Sequence, residues 1–181
     1  MNSAPPLLTA LRQATRPAHD RLETLTLGDR ITDGSLRPAE YERIIEWQRR
    51  VHGELEPLVR GFRGGAYQYR ERFPVSVDTS EEPYGTPPMS NQHGTPTTLG
   101  ILYVLEGASL GGTVIYKKLQ SNPALAAYAP FTFYRDQAEW GLQQWRAYLA
   151  YLKTLDLSPE QIQQATDSAV ATFVLFERLW Q

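Results

Sequence analysis

A histidine near the start of the chain has a carboxylate one helical turn further on. His19 and Glu23 both lie in the segment LRQATRPAHDRLE, and in a helix residues four apart share a face. A histidine that binds a metal through one ring nitrogen commonly donates the other N–H to a carboxylate. The spacing is compatible with a metal ligand at His19 oriented by Glu23, although a histidine taken alone is more often an ordinary core or surface residue.

Three glycines interrupt a strong helical pattern in the middle of the chain. Gly107, Gly111 and Gly112 lie in GILYVLEGASLGGTVIYKKL, and each costs about 1 kcal/mol relative to alanine inside a helix. Gly107 and Gly111 are four residues apart and would share one face. Such a patch suits either close packing of two helices or a flat ligand lying against bare backbone, and glycine alone does not decide between them.

Most of the sequence has the periodicity of helices that could carry these residues. A first helix is predicted over residues 6–27, with a bend at Pro17 or a new start near Thr15. A second is predicted to begin at a Ser35 cap and to end at Gly61.

The second half of the chain predicts three more helices. One begins with Thr97 or Thr98 as its cap and runs for about six turns through the glycines. Another spans residues 135–155, and the last opens with a capping box at residues 158–161. The pattern predicts an all-α, single-domain bundle of about five to seven helices over residues 1–181.

Residues 62–98 depart from the helical pattern. A tract with Tyr67, Tyr69 and Phe73 could form a helical turn, and a stretch rich in Pro, Ser, Thr and Gly follows it. Loops of this length are uncommon inside a compact domain. We interpret the segment as an irregular surface loop in which His93 is solvated. His52, beside the apolar stripe of the second helix, is interpreted as structural or surface.

Composition excludes several classes of function. The formal net charge is -2, which gives no reason to expect a nucleic acid or an anionic membrane as partner. The chain has no cysteine, so disulfides and thiolate ligation of a metal are excluded. No secretory signal and no uninterrupted apolar run of about 18 residues is present. We expect a cytoplasmic protein, and a monomer because no large apolar stripe is left over.

Two of these segments carry a family resemblance. LRQATRPAHDRLE resembles the first helix of the haem oxygenase family, with its proximal histidine. YVLEGASLGG resembles the same family's distal helix, in the form found in the bacterial, phytochrome-associated branch. FTFYRDQAEWGLQQWRAYL and AVATFVLFERL resemble its later helices. The resemblance spans nearly the whole chain with its motifs in the family's order.

The resemblance implies a haem sandwiched between the first helix and the glycine-rich one. His19 would ligate the iron, Glu23 would orient His19, and Gly107 and Gly111 would leave room for O2 over the ring. In this family the reduced and protonated dioxygen attacks a meso carbon of the porphyrin, and later oxidations release CO, Fe2+ and biliverdin.

The resemblance also implies roles for further residues and partners. Arg12 and Arg16 would face the haem propionates. Other residues implied in or near the pocket are Tyr103, Ser109, Gly112, Phe131, Tyr134 and Arg146. A ferredoxin or a flavoprotein reductase is expected as electron donor, and a phytochrome is a candidate recipient of the biliverdin.

The chain departs from the family pattern at two places. Ala108 stands where the animal enzymes have an aspartate that organises distal water, and residues 62–98 replace a segment that is usually an ordered helix. A non-catalytic haem carrier or sensor on the same fold is therefore an alternative to the enzyme. A helical domain whose glycines only pack helices is a third hypothesis.

Overall fold

The structure, a computed structural model, describes residues 6–73 and 95–181. In these residues seven α-helices and one short β-hairpin form the all-α bundle that the sequence predicts. The elements are α1 (Pro6–Leu25), α2 (Gly28–Asp33), α3 (Pro38–Val59), β1 (Arg63–Gly64), β2 (Tyr67–Gln68), α4 (Pro96–Ala108), α5 (Gly112–Gln120), α6 (Thr132–Leu152) and α7 (Pro159–Trp180). Two 3-10 segments, Ser109–Gly111 and Pro123–Tyr128, connect α4 to α5 and α5 towards α6.

Helix α7 lies at the centre of the packing, against both α4 and α1, while α6 packs on α5. The predicted capping box is confirmed: Ser158 Oγ accepts the Gln161 N–H at 3.3 Å, and the Gln161 side chain accepts the Ser158 N–H at 2.9 Å. The small residues Ala165 and Ala169 and the ring of Phe176 are buried, as the apolar stripe predicts. The stripe therefore fixes which face of α7 meets the core.

Two predicted helix starts are wrong. Helix α3 begins at Pro38 rather than after a Ser35 cap, and the N–H of Arg37 is held by Glu40 at 2.9 Å. Ser35 instead belongs to the turn that ends α2, where its N–H donates to Asp33 at 2.8 Å. Helix α4 is capped by Thr95, whose hydroxyl accepts the Thr98 N–H at 3.3 Å, and not by Thr97 or Thr98.

The described start of the irregular segment is a hairpin and not the predicted helical turn. Strands β1 and β2 pair antiparallel around a turn in which Gly65 has a φ of 58°, a conformation that glycine adopts without strain. Residues 74–94, with His93, lie outside the described residues. In α1 the helix continues through Pro17, so the predicted new start near Thr15 is not found.

One helical run, Pro96–Gln120, is long and apolar enough by length and composition to cross a membrane. Half of that window is buried inside the protein, and its first part packs on α7. A core helix of a globular domain has the same properties, so the run is weak evidence for a membrane span.

The crossing of α4 and α7 depends on a glycine that the sequence analysis did not single out. A Cβ at Gly100 would lie 2.1 Å from the backbone oxygen of Ala165 and 2.7 Å from the backbone N of Ala169. Because backbone cannot rotate aside, we expect Gly100→Ala to lower the free energy of unfolding by about 1–3 kcal/mol or more, as overpacking does.

Urea unfolding measures this effect as a fall in the midpoint. Gly53→Ala is the matched control, since Gly53 is also inside a helix but has no described atom within 4 Å of its added Cβ. Alanine there is expected to raise stability by up to about 1 kcal/mol. Equal shifts in both variants would contradict this account of the α4–α7 crossing.

Candidate functional site

A cleft of about 680 Å³ lies between α1 on one side and the end of α4 with the start of α5 on the other. This volume falls within the range of small-molecule sites, roughly 300–1,000 Å³. Its apolar lining is supplied by α1, α3, α4 and α7, and includes Leu22, Ile44, Trp47, Val104, Phe173 and Phe176. The cleft therefore has the size and the apolar walls that a flat hydrophobic ligand requires.

His19 stands on the α1 wall of this cleft. Its side chain is 56% exposed and its ring meets the ring of Phe173 edge-on at 6.0 Å. His19 Nδ1 lies 3.8 Å from a carboxylate oxygen of Asp20 and 3.8 Å from one of Glu23. These distances exceed a hydrogen bond, but they place the carboxylates on the Nδ1 side and leave Nε2 as the ring nitrogen away from them.

Cationic side chains lie at two places on the cleft. Arg12 and Arg16 line it from α1, and Lys118 lines it from α5. Burial raises the pKa of Tyr103, and the charge of the nearby Arg12 partly offsets that rise. A ligand with carboxylates on one edge would find partners for them at either place.

The three glycines of the central pattern have three different environments. Gly107 lines the cleft, and a Cβ there would come no closer than 3.8 Å to the ring of Trp145. Gly112 packs helices, because its Cβ would lie 2.8 Å from Cβ of Gln137 on α6. Gly111 is exposed and outside the described cleft lining, since the 3-10 segment breaks the face it would have shared with Gly107.

Of the remaining predicted residues, Tyr103 and Tyr134 line the cleft, and Ser109, Phe131 and Arg146 do not. Burial raises the pKa of Tyr134, so its hydroxyl stays protonated. Ser109 is buried against α6, Phe131 packs on Tyr41 at the start of α6, and Arg146 is exposed elsewhere on α6. In the described residues, none of these three side chains belongs to the cleft lining.

The sequence analysis missed several lining residues, of which Gln48 is the most informative. Gln48 lies on α3 beside Trp47 and faces the cleft. The signal was present, since Gln48 is a polar residue within the apolar stripe of that helix. Lys118, in the last turn of α5, also lines the cleft.

A second cavity, of about 700 Å³, is lined by a different set of α3 residues from those that line the cleft. His52 and Glu56 line it, and His52 Nδ1 lies 3.2 Å from Glu56 Oε1. Burial lowers the pKa of His52, although Glu56 opposes that shift. Burial alone would raise the pKa of Glu56, but hydrogen bonds from His52, Tyr69 and the Arg72 backbone lower it.

The family model described as Heme oxygenase matches residues 53–181, which is more than half of the chain. The chain belongs to the haem oxygenase family. The matched range begins at residue 53, after α1, so it does not include His19. The assignment of His19 to the site is therefore based on the geometry of the cleft. No curated protein and no solved structure matches the chain.

Proposed function

We propose that the protein is a haem oxygenase that uses O2 and a reductant to open haem to biliverdin, CO and Fe2+. The observation that carries the proposal is that His19 on α1 and Gly107 at the end of α4 line the same cleft of about 680 Å³. One wall supplies an imidazole and the other a backbone without a side chain. Haem, as the substrate, needs an axial ligand on one face and open space for O2 on the other.

The residues of the cleft fit this substrate. The imidazole of His19 would hold the iron through Nε2, while Glu23 and Asp20 on the Nδ1 side would fix the ring's orientation. The rings of Trp47, Phe173 and Phe176 would cover the porphyrin and exclude water. When bound, the haem supplies the redox chemistry by which O2 is activated.

Arg12 and Arg16, which line the cleft, would pair with the propionates, because hydrogen bonds between a guanidinium and a carboxylate are strengthened by their opposite charges. On the O2 side, Ala108 lines the cleft and offers no hydrogen-bonding side chain. Protons would reach that side through ordered water, with the Gln48 amide and the protonated Tyr134 hydroxyl as its nearby polar groups.

The same residue at position 108 favours the alternative function. A non-catalytic haem carrier or sensor needs the axial ligand and the apolar walls, but no group that organises protons. Both functions require haem binding through His19, and only the enzyme requires turnover.

We propose the biological setting on the resemblance described above. One domain over residues 1–181 would act in the cytoplasm as a monomer, with electrons from a ferredoxin or a flavoprotein reductase. A phytochrome is the proposed recipient of biliverdin, as in the bacterial branch of the family.

A single-turnover assay tests the proposed function. The protein is mixed with one equivalent of hemin, and its visible spectrum is followed in air after addition of ascorbate, with catalase present to remove free peroxide. Loss of the haem band together with growth of biliverdin absorption is the expected result. A haem complex that is reduced and oxygenated but not degraded, with a protein reductant as well as with ascorbate, would favour the carrier or sensor.

A further inference from the structure

A buried ion pair lies behind the glycine-rich segment, on the side away from the cleft. Arg72 Nη2 donates to Glu106 Oε2 at 2.8 Å and to Ser109 Oγ at 3.2 Å. The Arg72 and Glu106 side chains are 1% and 0% exposed. Glu106 immediately precedes Gly107, so the ion pair holds one side of the backbone whose other side lines the cleft.

The same arginine ties that segment to α3. Its backbone N–H donates to Glu56 Oε1 at 2.6 Å, and Glu56 is also held by Tyr69 and His52. Its guanidinium lies 4.8 Å from the ring of Tyr69 and 4.9 Å from the ring of Trp140. Arg72 therefore joins the helix that supplies Gln48 and Trp47 to the segment that supplies Gly107.

A buried ion pair is weak evidence for stability, since removing two charges from water offsets much of their attraction. Its geometry is the more informative property here. Glu106 receives a second hydrogen bond from Tyr67 OH at 2.6 Å, and the contact with Ser109 falls where the α-helical backbone changes to a 3-10 segment. The planar guanidinium fork uses both of its terminal nitrogens, since Nη2 donates to Glu106 and Ser109 while Nη1 donates to the backbone oxygen of Arg70. A lysine ammonium has one nitrogen and does not reproduce that arrangement.

We infer that Arg72 is a positioning residue, which through Glu106 and Ser109 sets the height and tilt of the backbone at residues 107–111 over the bound haem. We call Arg72 with its partners Glu106 and Ser109 the clamp. Which edge of the porphyrin meets the attacking oxygen then depends on the clamp as well as on the groups that pair with the propionates. The inference rests on the proposed function for its consequence, but the clamp itself is a property of the protein without ligand.

The substitution Arg72→Lys tests the inference because it keeps the charge and loses the fork. Without haem, we expect amide hydrogen exchange at residues 107–112 to become about tenfold faster, with exchange in α7 unchanged, as for a local opening. Arg60→Lys is the matched control, since Arg60 lines the same second cavity but is 54% exposed and pairs with Glu71 at the surface.

The consequence for haem is measured in two ways. The hyperfine-shifted methyl resonances of the cyanide-ligated haem complex report how haem is seated, whether or not it turns over. In turnover, the proportions of biliverdin isomers report which meso carbon was attacked. We expect Arg72→Lys to change both while retaining the axial ligand, and Arg60→Lys to match the wild type in both.

Unchanged exchange, resonances and isomer proportions in Arg72→Lys would overturn the inference. If that variant does not fold, Glu106→Gln carries the same three measurements with the charge removed from the other partner. If the wild-type protein binds no haem, the proposed function is wrong. The inference about Arg72 is then still tested, because amide exchange without haem shows whether the clamp holds residues 107–112.

Discussion

Replacing His19 by alanine is expected to abolish axial ligation of haem and, with it, haem turnover. His19 lines the cleft with its Nδ1 towards two carboxylates and its Nε2 away from them, and alanine offers no ligand atom. The visible and electron paramagnetic resonance spectra of the ferric complex would lose the signature of a histidine-ligated haem. The biliverdin assay would then show no product.

His52→Gln is the matched control for this experiment. His52 also has a carboxylate one turn further on and a closer contact to it, at 3.2 Å, but it lies on the second cavity. Glutamine keeps a polar group near Glu56, so the variant is expected to retain the wild-type haem spectra. Loss of the histidine signature in His52→Gln but not in His19→Ala would show that the iron ligand is on α3 and that its assignment to α1 is wrong.

A large side chain at Gly107 is expected to weaken haem binding while leaving the fold intact. Among the residues that the structure describes, a Cβ at Gly107 meets only the Trp145 ring, at 3.8–3.9 Å, so the backbone tolerates it. The further atoms of leucine would occupy the cleft that Gly107 lines. Overpacking of about 1–3 kcal/mol corresponds to a loss of haem affinity of about 5–150-fold.

Titration with hemin, followed at the Soret band, measures that affinity, and urea unfolding verifies the fold. Gly53→Leu is the control, because Gly53 lies in α3 away from this cleft and has no described atom within 4 Å of an added Cβ. We expect it to bind haem as the wild type does. If Gly107→Leu binds haem with wild-type affinity, the glycine-rich segment does not form a wall of the haem site.

The features that sequence predicted best are those governed by local chemistry. The capping box at Ser158 and the buried face of α7 follow from residues that lie within a few positions of one another. The start of α3 was misplaced because Ser35 is a good cap by type, yet the turn after α2 uses its N–H to satisfy Asp33. Side-chain competition of that kind depends on the three-dimensional path of the chain.

The candidate site was predictable in part for the same reason. His19 and Gly107 were found through residue type and spacing. That they line one cleft could not be predicted in this way, because it depends on α7 packing against both of their helices. Arg72 and Glu106 gave no signal, since charged residues in a sequence are normally assigned to the surface. Their burial follows from contacts between residues that are 34 positions apart.

The packing of α1 on α7 has a consequence for how the protein is made. His19 is synthesised early, but the helix that supports it and supplies Phe173 and Phe176 to the cleft comes off the ribosome after all the other described helices. One surface link between the two, from Arg21 to Glu177, spans 156 positions of the chain. Contacts of such long range form late, so a nascent chain would present the histidine without its cleft. Haem capture would therefore wait until α7 has been synthesised and has packed on α1.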